Sequence, residues 1–257
     1  MNFFSKKAFS LCIVALSAAV YATDENPRGL FLELGDFDLV RPLPAVGEQL
    51  PRLILGDIHG FVRVFEKRDI GFEEIWVSEF FEGAIAGIEV VDMDDDGVVE
   101  ILVYTDTGRF HYLDTKSYTI KWSNPPNEYE RITTLAVKDI DDDPQPELIM
   151  CADGRLIIYD GRDQFEEWRS DQDNINATEL LIADVDGDEE REIVLNDGFV
   201  FDAMFRDLEW QSPVQFGDKM DVFDLDNDGI VELVGEFRGR FIRIFDIDLR
   251  REKSLKR

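Results

Sequence analysis

Four acidic nonapeptides recur along the chain at nearly even spacing, and any fold for this sequence must place all four alike. They read D-M-D-D-D-G-V-V-E from Asp92, D-I-D-D-D-P-Q-P-E from Asp139, D-V-D-G-D-E-E-R-E from Asp184 and D-L-D-N-D-G-I-V-E from Asp224, with first residues 47, 45 and 40 apart. An apolar run follows each one (Ile101 to Tyr104, Leu148 to Ala152, Ile193 to Leu195, Leu233 to Val234), then a turn glycine, Gly108, Gly154, Gly198 or Gly239. The four tryptophans, Trp76, Trp122, Trp168 and Trp210, keep the same phase at intervals of 46, 46 and 42. A fixed period of this length marks a tandem array of one supersecondary unit. A fifth, degenerate copy starts at Arg52, where R-L-I-L-G-D-I-H-G-F-V-R-V-F-E matches the strand, glycine turn and strand around Gly108. Its acidic stretch, Pro44 to Arg52, keeps only Glu48, so this copy is expected to hold no metal.

Within a copy the apolar runs are short, rich in β-branched and aromatic residues, and bounded by turn residues. In the third copy they span Leu135 to Lys138, Glu147 to Ala152, Arg155 to Tyr159 and Phe165 to Arg169. Four strands per repeat, joined by hairpins, are the pattern of propeller blades, and runs this short do not make helices. The expected fold is therefore all-β, a single β-propeller of five four-stranded blades, with an open or irregular array as the alternative. After Phe245 the last copy has no aromatic strand to match the Trp segment, whereas Gly29 to Leu34 is surplus at the start. That N-terminal strand is expected to supply the outer strand of the last blade and close the ring, removing exposed edges.

The acids stand at positions 1, 3, 5 and 9 of each nonapeptide, and a main-chain carbonyl at position 7 can join them. So many hard oxygen donors suit Ca²⁺, which takes roughly six to eight, better than Mg²⁺, which keeps its waters. No His or Cys lies in the loops, which disfavours zinc and softer metals. An EF-hand would need a bidentate Glu at position 12 and flanking helices, whereas that position holds Val103, Met150, Leu195 and Gly235. Solvated acidic turns are the alternative, but packed carboxylates repel unless a cation neutralises them. Up to four calcium ions are expected. The strongest sites are expected at Asp92–Glu100 and Asp224–Glu232, where Gly97 and Gly229 permit a sharp turn, against Pro144 and Glu189 in the middle copies.

The motif D-x-D-x-D-G-x-x-E before a strand, repeated within four-stranded units, resembles the FG-GAP/VCBS repeats of integrin α-subunit propellers and many bacterial secreted proteins. The resemblance covers roughly residues 30 to 248, with five copies where seven is commoner and the Phe-Gly and Gly-Ala-Pro marks mostly missing. It implies Ca²⁺ ligands at Asp92, Asp94, Asp96, the Val98 carbonyl and Glu100, and at Asp139, Asp141, Asp143, the Gln145 carbonyl and Glu147. It implies the same at Asp184, Asp186, Asp188, the Glu190 carbonyl and Glu192, and at Asp224, Asp226, Asp228, the Ile230 carbonyl and Glu232. The family includes adhesion subunits, lectin-like modules and some polysaccharide-degrading enzymes, so it implies fold and metal more narrowly than function.

Lys6 and Lys7 precede an apolar run from Ala8 to Val20, and Val20-Tyr21-Ala22 reads as a signal-peptidase site. Residues 1–22 are thus expected to be a signal peptide, the run being too short to span a membrane. Leu11 before Cys12 argues against a lipid anchor. A periplasmic or extracellular location follows, with the propeller at 23–249 and a basic tail at 250–257. The mature chain keeps one cysteine, Cys151, in the apolar run Leu148 to Ala152, expected to be a buried core thiol. With 27 Lys+Arg against 56 Asp+Glu, the net charge of −29 excludes a nucleic-acid partner bound through a basic face. Hydrophobic residues at 44% exclude a disordered acidic chain.

The expected role is a binding or adhesion module for a protein or glycan, calcium being structural. Its partner surface is expected on loops following the Trp strands, at Phe80, Phe81, Tyr129, Arg131 and Phe216, whose alternative role is packing between blades. The rival is a polysaccharide-acting, lyase-like enzyme. His59 and His111 stand out of phase with the repeat, and no hydrolase or phosphate-loop motif is present, so no catalytic residue is assigned. The tail from Arg250 is expected to be a solvated end.

Overall fold

The computed structural model of the chain describes residues 39–44, 49–141, 143–253 and 255. Contacts divide the chain into Met1–Glu33 and Leu34–Arg257, and every described residue belongs to the second unit. The signal peptide and the Gly29 to Leu34 strand expected from the sequence lie outside the described residues.

Those residues form five antiparallel sheets of four strands each. The first holds β1 (Val40–Leu43), β2 (Arg52–Gly56), β3 (Val62–Lys67) and β4 (Phe72–Val77), and the second holds β5 (Ile85–Val91), β6 (Glu100–Thr105), β7 (Phe110–Asp114) and β8 (Ile120–Ser123). The third holds β9 (Ile132–Lys138), β10 (Glu147–Ala152), β11 (Arg155–Asp160) and β12 (Phe165–Arg169). The fourth holds β13 (Leu180–Ala183), β14 (Glu192–Leu195), β15 (Phe199–Asp202) and β16 (Leu208–Gln211), and the fifth holds β17 (Lys219–Phe223), β18 (Glu232–Phe237), β19 (Phe241–Asp246) and β20 (Arg251–Lys253). Strands pair in chain order within each sheet, so each repeat is a meander. In the hairpin between β6 and β7, Gly108 has φ +79, and a Cβ there would stand 2.2 Å from the Tyr129 carbonyl oxygen. That close approach explains a glycine at this turn.

Each junction between consecutive sheets holds its own apolar cluster. Ile54 and Val64 of the first sheet meet Ile88 and Leu113 of the second. Leu102 and Phe110 meet Met150 and Tyr159 of the third, Ile149 and Ile158 meet Ile193 and Phe201 of the fourth, and Val194 and Val200 meet Leu233 and Phe245 of the fifth. Consequently β6, β10 and β14 are buried along their whole length, which is why they read as unbroken apolar runs. In contrast, β2 alternates buried and half-buried residues, and β18 is only partly buried. Cys151 lies 1% exposed in the third junction, where burial pushes its thiol pKa up.

The last sheet corrects the sequence reading. Its outer strand is β20, pairing Ile244↔Lys253, Phe245↔Glu252 and Asp246↔Arg251 with β19. The place assigned to Gly29 to Leu34 is thus filled by residues expected to be a solvated tail. Charged residues suit this edge because Arg243 of β19 pairs with Glu252 at 2.8 Å.

Candidate metal centres

The four acidic loops connect the first and second strands of sheets two to five, all at the same end. Each is closed in the same way by its last residue, which is also the first residue of the second strand. Glu100, Glu147, Glu192 and Glu232 are all buried. One carboxylate oxygen of each accepts the amide of loop position 2, from Met93, Ile140, Val185 and Leu225, at 3.2, 2.9, 2.7 and 2.8 Å. The first Asp organises the turn where it accepts amides, as Asp92 does from Gly97 at 2.7 Å and Asp184 from Gly187 at 2.8 Å. The Asp at position 5 accepts the amide of position 7 in every loop, Val98, Gln145, Glu190 and Ile230.

Carboxylate oxygens converge within 4.8 Å in each loop: Asp92, Asp94 and Asp96; Asp139, Asp141 and Glu147; Asp184, Asp186 and Glu192; Asp224, Asp226 and Glu232. Of the remaining side chains named from the sequence, Glu100, Asp143, Asp188 and Asp228 stand outside these groupings. An all-oxygen set of carboxylates is the donor chemistry of a hard divalent cation, so the residues present fit calcium. Loops one and four turn through Gly97 at φ +82 and Gly229 at φ +96. Loop three reaches the same left-handed conformation with Glu189 at φ +75, despite the expectation that glutamate would resist it.

Two loops carry strained ionisation. Burial, with Asp141 and Asp143 adding to it, lifts the Glu147 carboxyl to about 7. Burial, with Asp186, Glu209 and Asp188 adding, lifts Glu192 to about 8. Asp186 is also raised, by burial first and then by Asp188 and Asp184. A nearby positive charge would favour the ionised form of each.

Sequence reasoning missed the basic residues that approach the loops. Lys121 on β8 places Nζ 2.7 Å from Glu100 Oε1. Lys253 on β20 bonds Glu232 and stands 3.2 Å from Asp226 Oδ2. Arg206 lies 3.8 Å from Asp141 Oδ2 and 2.9 Å from Glu167 Oε1. The available signal was the neighbour of each tryptophan: Lys121 precedes Trp122, where Glu167 and Glu209 precede Trp168 and Trp210.

At the opposite end of the first strands, the expected partner surface divides. Phe81, Tyr129 and Phe216 are buried, each in the connection that enters the first strand of the next sheet. They plug the junctions, Phe81 donating its amide to the Gly60 carbonyl at 3.0 Å and Phe216 to that of Asn196 at 2.9 Å. Phe80 and Arg131 are exposed. Phe80 borders a cleft of about 290 Å³ between the first two sheets, lined also by Trp76, Phe81, His111, Tyr118 and Ile120. His111 is buried on β7 with Nδ1 2.7 Å from Ser123 Oγ, and burial, with Arg109 adding, lowers its pKa to about 4.

No protein-family model matches the chain, and no curated protein matches it in sequence. Among solved structures it is similar to BBS1N crystallised in complex with ARL6DN, at TM-score 0.60 and 12% identity, over 87% of this chain and 69% of that one. It is similar to the V. cholerae biofilm matrix protein Bap1, at TM-score 0.53 and 20% identity, over 80% of this chain and 34% of that one. It is also similar to the Neurospora crassa Pan2 WD40 domain, at TM-score 0.53 and 12% identity, over 79% of this chain and 61% of that one. The chain thus spans from about a third to about two thirds of those chains. At such identities the likeness carries the fold alone, an all-β arrangement of propeller type.

Proposed function

We propose that the protein is an exported, calcium-stabilised binding module of the FG-GAP/VCBS type, engaging a protein or glycan through the loops opposite its acidic ends. The observation that carries this reading is the convergence of three carboxylate oxygens within 4.8 Å at the same place in four successive sheets. Carboxylates so close repel, and an all-oxygen cation site relieves the repulsion. Calcium would be held by the Asp side chains of each loop with its buried Glu, and would supply fixed positive charge rather than chemistry. A partner surface at Phe80 and Arg131 agrees with their exposure, and exposed aromatic and Arg side chains suit interfaces. Protein binding by a fold of this kind has a precedent in the BBS1N complex with ARL6DN. Export draws on Lys6, Lys7 and the run to Val20, and among the described residues no helix is long and apolar enough to cross a membrane. The role proposed is binding, not catalysis.

The test is a thermal melt of the purified chain in about 5 mM calcium and in chelator, followed by Trp fluorescence. An ion at about 100 times its dissociation constant stabilises by about 2.7 kcal/mol per site, so the midpoint should rise by many degrees in calcium. Equal midpoints in calcium and chelator would remove the metal and, with it, this reading.

A further inference from the structure

Four outer strands carry one residue too many for their pairing. Trp76, Trp122, Trp168 and Trp210 pair with Val64, Tyr112, Ile158 and Val200, and the register then skips Ile75, Lys121, Glu167 and Glu209. A bulge bends its strand and re-aims the side chain it carries. In the second sheet the extra residue brings Lys121 to Glu100. In the third it brings Glu167 to Arg206, the guanidinium beside Asp141. In the fourth the skipped residue is Glu209, a carboxylate where the second sheet carries Lys121. The fifth sheet pairs without a skip, and Lys253 stands opposite Ile244, where the other sheets have tryptophan. There it bonds Glu232.

Each closing Glu commits one oxygen, Oε2, to an amide of its own loop. Oε1 is the oxygen that this amide does not engage. In loops one and four a lysine ammonium already sits on that oxygen. Among the described residues, no basic group comes within ion-pair distance of Glu147 or Glu192.

We infer that the charge the outer strand presents to each loop sets that loop's affinity for a divalent cation. Lys121 and Lys253 compete with the ion for Glu100 and Glu232, whereas Glu209 adds a carboxylate to the field of the Asp184–Glu192 loop. The order of affinity therefore runs against the order that the turn glycines suggest, with the Asp184–Glu192 loop tightest. This rests on the metal reading above and extends it to a graded set of sites, filling at different calcium concentrations.

Calorimetric titration of calcium into the full chain and its Lys121→Gln, Lys253→Gln and Glu209→Lys variants tests it, with melts in calcium and in chelator alongside. Each Lys→Gln change should tighten one site roughly tenfold, the scale of one charge near 4 Å under surface screening, and Glu209→Lys should weaken one by as much. Each Lys→Gln change should also lower the melt in chelator while enlarging the rise that calcium gives. A purely structural lysine would lower both melts equally and leave the binding constants unchanged, which would overturn the inference. Lys121→Met keeps the stem packing should the Gln variant fail to fold, and the same outcomes decide. Calcium binding in the wild type with unaltered constants in every variant removes this inference alone; no calcium heat in the wild type removes the metal reading as well.

Discussion

A buried glutamate closes every acidic loop, and its ionisation gives the sharpest consequence at the scale of single residues. Glu147 and Glu192 are lifted from 4.5 to about 7 and about 8. The folded state then holds those protons more tightly than the unfolded chain, so stability present below about pH 4.5 is lost as pH rises towards 8. In chelator the melting midpoint should therefore fall between pH 5 and pH 8, and calcium should flatten the slope, since a bound cation lets both groups ionise. A flat profile in chelator would show that these carboxylates are solvated. The convergence of the acids was legible in the sequence, because their spacing is local. The roles of the aromatics were not. Phe80 and Phe81 are neighbours of one type, yet one is 58% exposed and the other 6%, a difference set by which of them reaches the junction. Comparing copies would have helped: Phe81, Tyr129, Ile175 and Phe216 follow their tryptophans by five to seven residues, and all four are buried.

Strands with apolar cores announced themselves and charged ones did not. In the third copy the expected strands agree with β10, β11 and β12 within a residue, while β9 begins at Ile132 rather than Leu135. Thr133 and Thr134 made that start look polar, although their β-branched side chains suit a strand. The sequence R-E-K of β20 has no apolar residue to mark it, and its pairing is held by Arg243 with Glu252 and by Lys253 with Glu232. Ending the chain after Leu249 would strip the outer strand from β19 and leave Glu232 without its ammonium. Such a truncation should lower the midpoint by several degrees in chelator and less in calcium, measured by circular dichroism. An unchanged midpoint would mean that β20 adds nothing to the fifth sheet.

Across the whole described unit, the repeat period made the number of sheets legible, since five copies gave five sheets. Whether the array closes was not legible, because closure depends on the angle between successive sheets, which no local pattern encodes. The apolar clusters lie at four junctions of consecutive sheets, and the faces beyond them remain partly open: Phe72 is 50% exposed on the first sheet, and Phe223 and Ile242 are 47% and 58% exposed on the fifth. The second, third and fourth sheets share clusters on both sides, the end sheets on one. Hydrogen exchange should accordingly be slowest in β10 and β11 and faster in β2, β3, β18 and β19, as stability in stacked repeats is a sum of neighbour terms. Uniform protection from first sheet to last would show the end sheets covered.

The separateness of those clusters also has a mechanical meaning. Drawn out by its two ends, a chain whose cohesion is parcelled between neighbours gives way in instalments, one sheet lengthening while the next still grips. Cohesion shared out in this way is the difference between stretching and snapping.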